Sequence, residues 1–131
     1  MGRVYVYGIL DTPADGEVCG DVAGLDGTSP VGIVALGEIG CVISPYSDQD
    51  LRSLPRETVL RYLMRHQQVV EQVMQEHTVL PVKFGTTLES HEEVRALLAQ
   101  AHRDLGKALD LMRDKVEVEV AATWDIKRVL Q

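Results

Sequence analysis

The sequence predicts an α+β domain: a mostly antiparallel sheet of about four to five strands with two long helices on one face, a variant of the ferredoxin-like design. Three observations carry this. Two long stretches, 58–76 and 90–112, place apolar residues at steps of three and four, the mark of amphipathic helices. Between them lies Val79-Leu80-Pro81-Val82-Lys83-Phe84-Gly85-Thr86-Thr87, an apolar run of strand length. Further apolar runs at 3–10, 31–36, 39–44 and 116–124 are separated by Gly-, Pro- and Asp-bearing breaks. The resulting order is β-β-β-α-β-α-β.

Residues 3–10 are rich in Val and Tyr, which favour strands. Strict alternation turns Val4, Val6 and Gly8 one way and Tyr5, Tyr7 and Ile9 the other. Both sets are apolar, so this strand belongs in the middle of the sheet. Residues 11–29 are rich in Gly, Asp, Pro and Thr and read as a loop, with a short strand near Val18 or Val22. The runs 31–36 and 39–44 flank Gly37-Glu38, which suits a type II′ hairpin turn. Pro45-Tyr46-Ser47-Asp48 ends the second run.

The first helix starts between Ser53 and Thr58, with Ser53 as N-cap and Pro55 in the first turn. Its apolar stripe holds Val59, Tyr62, Leu63, His66, Val70, Val73, Met74 and His77. In the central run, Leu80, Val82 and Phe84 share one parity and face the helices. Pro81 cannot donate to a ladder, which predicts an edge strand, a strand start or a bulge. Ser90 and Glu93 form a capping box for the second helix. Gly106 within it marks close packing on the sheet. In the last strand Val116, Val118, Val120, Ala122 and Trp124 face the core while Glu117 and Glu119 face out.

The length of 131 residues suits one domain and a real core. Apolar content of 45% and charged content of 25% are ordinary for a soluble globular chain. Cys19 and Cys41 lack metal-like spacing; two free thiols in a reducing compartment is the leading reading, beside a Cys19–Cys41 disulfide. No run approaches the roughly 18 apolar residues of a membrane span, and a strand pattern stands where a signal peptide would, so a cytoplasmic location is expected. Residues 1–50 carry eight acids against Arg3 alone, which is the whole net charge of −7; residues 51–131 are balanced. This acidic front argues against nucleic acid and anionic membrane as partners.

No catalytic constellation emerges. His66 lies on an apolar stripe, where a core histidine bonded to a backbone carbonyl is the first expectation. His66 and His77 are eleven residues apart, as are His91 and His102. That spacing spans about 16 Å of helix, too far for one metal. Glu89, Glu92 and Glu93 suit a helix amino end. Gly85-Thr86-Thr87 lacks the lysine and further glycines of a phosphate loop. Cys41 lies within an apolar strand. No catalytic residue, cofactor or metal site is therefore assigned.

The order helix, Leu80-Pro81-Val82-Lys83-Phe84-Gly85-Thr86, helix, alternating strand ending in Trp124-Asp125 resembles the gas vesicle protein L/F family. Tyr5-Val6-Tyr7-Gly8, Val42-Ile43-Ser44-Pro45 and His66 fit the same pattern. The resemblance runs from about Val4 to Asp125. It implies a non-enzymatic accessory role in gas vesicle assembly. The implied partners are the small, very apolar major shell protein and other accessory gas vesicle proteins, and the implied location is the cytoplasm beside the vesicle. Family members commonly continue into a second α+β domain, so residues 1–131 correspond to a single N-terminal domain. With both helices on one face, the other sheet face is open. Tyr5, Tyr7 and Ile9 have the parity to make protein contacts there, and a homodimer is one way to cover it. The alternative is a small-molecule-binding or catalytic ferredoxin-like domain with that face as pocket floor, near His66 and Tyr5 or Tyr7.

Overall fold

Nine residues, Arg3–Asp11, form β1, the strand to which the others are joined. The computed structural model describes residues 3–11, 18–47 and 50–114; the expected last strand at 116–124 lies outside the described residues. The remaining strands are β2 (Val18–Ala23), β3 (Pro30–Leu36), β4 (Ile39–Tyr46), β5 (Val79–Pro81) and β6 (Thr87–Leu88). They make a six-stranded sheet in the order β2-β3-β4-β1-β5, with β6 also paired to β1. Every pairing is antiparallel. The α+β class with an antiparallel sheet is thus as the sequence indicated. The loop read at 11–29 contains a real strand, β2, in the region of Val18 and Val22.

The β3–β4 hairpin closes on two residues, with Leu36 opposite Ile39 and Gly37 at φ 65°. Only a glycine enters that region without strain, as the hairpin reading required. After β4 a 3₁₀ turn, Leu51–Ser53, leads into α1 (Arg56–Met74). Pro55 stands at the N-cap and supplies no side-chain cap, whereas Ser53 instead donates to the Asp50 carbonyl at 2.7 Å. The second helical pattern is split into α2 (His91–Gln100) and α3 (His102–Asp114). The break is at Ala101, with φ −104° and ψ 14°. Ser90 caps α2 as expected, its Oγ accepting from the Glu93 amide at 3.2 Å. Gly106 does not mark close packing, because a Cβ there would meet nothing within 4 Å.

Two departures from the expected architecture involve β1, which is buried on both faces. Pairing runs Val6 to Ile43 and then Gly8 to Val42, so Tyr7 is an extra residue in a β-bulge. The bulge reverses the parity of the residues after it. Val4, Val6 and Ile9 lie in one core; Tyr5, Tyr7 and Leu10 lie in the other. The expectation that Ile9 shares a face with the tyrosines is therefore corrected.

The helices are also not on one face. Val94, Leu97, Leu98, Leu105 and Leu109 of α2 and α3 close the Val4–Val6–Ile9 core. Val69, Val70 and Val73 of α1 close the tyrosine core. Chain direction explains this. Helix α1 leaves β4 and must reach β5, which lies across β1, so it covers the face that it crosses. A strand with two apolar faces needs cover on both. The open face that motivated a homodimer is thus absent at β1.

Segment 79–88 hugs β1 twice. Pro81 sits on the outer strand β5, as its missing N–H requires. Leu80 and Val82 face the α2–α3 core, but Phe84 packs against the tyrosine core. A turn causes the switch: the Thr86 amide and Oγ1 donate to the Lys83 carbonyl at 3.3 and 2.8 Å, and Gly85 takes φ 94°.

Candidate interaction site

The polar groups of the tyrosine core are bonded to one another. His66 enters this core from α1 and is only 3% exposed. Its Nδ1 lies 2.8 Å from the Tyr5 hydroxyl. The Gly85 amide donates to the same hydroxyl at 2.9 Å, so the phenol proton is directed at Nδ1. A hydrogen bond with the Val82 backbone favours the ring that carries a proton, as donation to a carbonyl does. His66 is therefore the core histidine that its place on an apolar stripe suggested. One side chain ties α1, β1 and the 82–85 segment together.

Burial dominates the titration of these groups. It pushes His66 down to about 4, against the opposing pull of the Val82 bond, so the ring is neutral at pH 7. It pushes Tyr5 well above its ordinary value and Tyr7 up to about 12. Tyr7 bonds the Ser44 Oγ at 2.7 Å. Cys41 is a free, buried thiol pushed far up by the same desolvation. The rings pack edge to face, with centroids 4.9 Å apart for Tyr5–Tyr7, 5.6 Å for Tyr5–His66 and 5.7 Å for His66–Phe84. A neutral imidazole clamped by a buried phenol holds α1 against β1 and the 82–85 segment. Among the described residues no group of three or more His, Cys, Asp and Glu could hold a metal.

Tyr5, Tyr7 and Ile9 are thus buried side chains. They make no exposed sheet face, and α1 fills the floor where a ferredoxin-like pocket would lie. Exposed large apolar side chains lie elsewhere: Leu111 on α3, Met74 at the end of α1, and a group of three on the outer side of α1. Leu60, Leu63 and Met64 are 48%, 36% and 64% exposed. The sequence carried a signal for this. Leu60 and Met64 fall off the core stripe of the helix, one turn apart.

Beside them, at the amino end of α1, is an open cleft of about 940 Å³. Arg3, Arg52, Arg56 and Lys83 line it, with Asp50 as the acid among the lining residues. Its apolar lining includes Tyr46, Leu51, Leu54, Val59 and Phe84. The four cations come from β1, the 3₁₀ turn, α1 and the 83–85 turn, so no local pattern in the sequence announces the cluster. No helix among the described residues is long and apolar enough to cross a membrane.

The class so defined is an antiparallel α+β domain with a hydrogen-bonded aromatic core and two accessible surfaces on and beside α1. The family described as "Gas vesicle synthesis protein GvpL/GvpF" matches residues 3–131, and the chain belongs to it. It is 32% identical over 128 residues to a gas vesicle protein F of Streptomyces sp. (strain CB03234), covering 96% of this chain and 50% of that protein. It is 28% identical to a gas vesicle protein F of Dolichospermum flosaquae, covering 98% and 50%. The crystal structure of the gas vesicle protein GvpF from Microcystis aeruginosa superimposes with a TM-score of 0.62 at 26% identity, over 84% of this chain and 43% of that one. That of GvpF from Anabaena sp. PCC7120 shares the fold, with a TM-score of 0.65 at 24% identity and the same coverage. The chain spans about half the length of the curated relatives it matches.

Proposed function

We propose that this chain is an accessory assembly protein of gas vesicles, working in the cytoplasm, that binds the apolar major shell protein and other gas vesicle proteins. Membership of the gas vesicle family gives the accessory role. The observation that carries the binding reading is the exposed apolar patch on α1. Leu60, Leu63 and Met64 sit together on one surface of a helix held in place from beneath by His66, Val69 and Val70. A rigid helix with an apolar outer face suits a partner whose own apolar surface must be covered before it polymerises. Tyr5 and Tyr7 serve this reading indirectly, as the bed on which α1 rests. Ile9 serves it only through the opposite core.

A pull-down of the major shell protein by the purified chain tests this. Retention by the wild-type chain, falling by about tenfold or more in Leu60→Glu/Met64→Glu, is expected. Both sites are exposed, so the double variant keeps its melting temperature. Undiminished retention by the folded double variant would sink the proposed surface, and no retention by the wild-type chain would sink the shell-binding reading for these residues. Gel filtration of the same sample reports whether the chain pairs with itself.

A further inference from the structure

We propose that the cleft between the amino end of α1 and the Lys83–Gly85 turn is a docking groove for an acidic peptide segment of a partner protein. The first support is charge. Four cations and one carboxylate line the groove in a chain whose net charge is −7. The cluster therefore runs against the composition around it.

Two of the cations already have partners: Arg3 lies 3.5 Å from Glu89, and Arg52 lies 3.5 Å from Asp50. Arg56 and Lys83 are exposed and have no carboxylate partner among the described residues. The amino end of α1 adds to the same field. It borders the groove through Leu54, Arg56 and Val59 and carries no side-chain cap, although Glu57 in its first turn offsets part of that field.

Size and lining select the occupant. A space of about 940 Å³ is larger than a single small anion fills. Phe84, Tyr46, Leu51 and Val59 add apolar lining to the same space. That mixture of cationic and apolar lining matches a peptide with glutamates or aspartates among apolar residues. A long polyanion fits less well, because beyond the groove it would meet an acidic protein. Val59 of α1 lines the groove, one residue before the exposed Leu60 and one turn before Leu63. The inference rests on the reading that the chain works through protein contacts, but not on which protein it contacts.

The test is fluorescence anisotropy of the 131-residue chain with a short labelled peptide of glutamates and interspersed leucines, at low salt. The control peptide has every glutamate replaced by glutamine. The glutamate peptide is expected to bind, to weaken as salt is raised, and to lose about tenfold or more in affinity in Arg56→Glu/Lys83→Glu. Both substitutions are at exposed positions, and Arg56→Gln/Lys83→Gln serves as the milder second variant with a smaller loss. In the charge-reversed variant, shell-protein retention is expected to persist while peptide binding is lost. Equal binding of both peptides, or unchanged affinity in the charge-reversed variant, overturns the groove. Displacement of the peptide by inorganic phosphate or by duplex DNA at matched ionic strength also overturns it, in favour of a small-anion or nucleic-acid site. Absence of peptide binding by a wild-type chain that still retains shell protein overturns the groove alone.

Discussion

Replacing His66 by alanine is expected to destabilise the chain by about 4 kcal/mol, read by urea denaturation followed by circular dichroism. Two costs add. The ring is buried against Tyr5, Tyr7 and Phe84, and its loss leaves a cavity in an aromatic core. The Tyr5 hydroxyl also loses the acceptor at 2.8 Å, leaving a buried donor unmet. Tyr5→Phe removes the donor instead and keeps the ring, so its loss should be markedly smaller. A melting temperature that does not move in His66→Ala would mean that the clamp between α1, β1 and the 82–85 segment contributes nothing.

The same residue makes stability fall in mild acid. The folded ring titrates at about 4, against an ordinary value of 6.5 in the unfolded chain. Above pH 6.5 the ring is neutral in both states, and its contribution is fully present. As the pH falls from 6.5 towards 4, the unfolded chain takes up a proton that the folded chain refuses. Stability therefore drops, by on the order of 3 kcal/mol across the window, and this group adds no further loss below it. Asp26 and Asp50 are both held below the ordinary carboxyl value of 3.8. Their contributions are present above that value and fade only at lower pH, so the two windows separate. His66→Ala should flatten the profile between pH 6.5 and 4 while keeping the steeper fall in stronger acid. An unchanged slope in the variant would assign the mild-acid loss to other groups.

Gly8 gives the next-largest expected loss. A Cβ there would lie 2.8 Å from Val79 Cγ1 and 2.9 Å from the Leu80 carbonyl oxygen. The valine methyl can turn away, but the carbonyl belongs to the paired strand β5 and cannot move without breaking its register with β1. Gly8→Ala should therefore cost about 2 kcal/mol by the same denaturation measurement. A neutral result would show that β5 is loosely held.

Much of the architecture was legible because it rests on local chemistry. The hairpin at Gly37-Glu38, the Ser90 cap, the edge position of Pro81 and the core role of His66 each follow from one residue's donor, acceptor or backbone freedom. The illegible part depends on pairing at a distance. Nothing local marks Tyr7 as a bulge; the extra residue exists only relative to Val42 and Ile43 on β4. Without the bulge, Ile9 falls in with Tyr5 and Tyr7. Phe84 changes sides for a similar reason, since the Lys83–Thr86 turn interrupts what reads as a continuous alternation. Helix placement depends on strand order, which puts β4 and β5 on opposite sides of β1 and forces α1 across the tyrosines. The basic cleft was invisible because its cations are scattered from Arg3 to Lys83. The exposed patch was half visible. Leu63 and Met74 were placed on the core stripe, yet Leu63 is 36% and Met74 47% exposed.

The outer face of α1 is proposed as the surface that binds an apolar gas vesicle partner. Hydrogen–deuterium exchange of the chain, alone and with the major shell protein, tests it most directly. Slowed exchange concentrated at residues 56–64, with β1 unchanged because it is already buried, is the predicted result. Protection confined to the β2 edge or to α3, with none on α1, would contradict it.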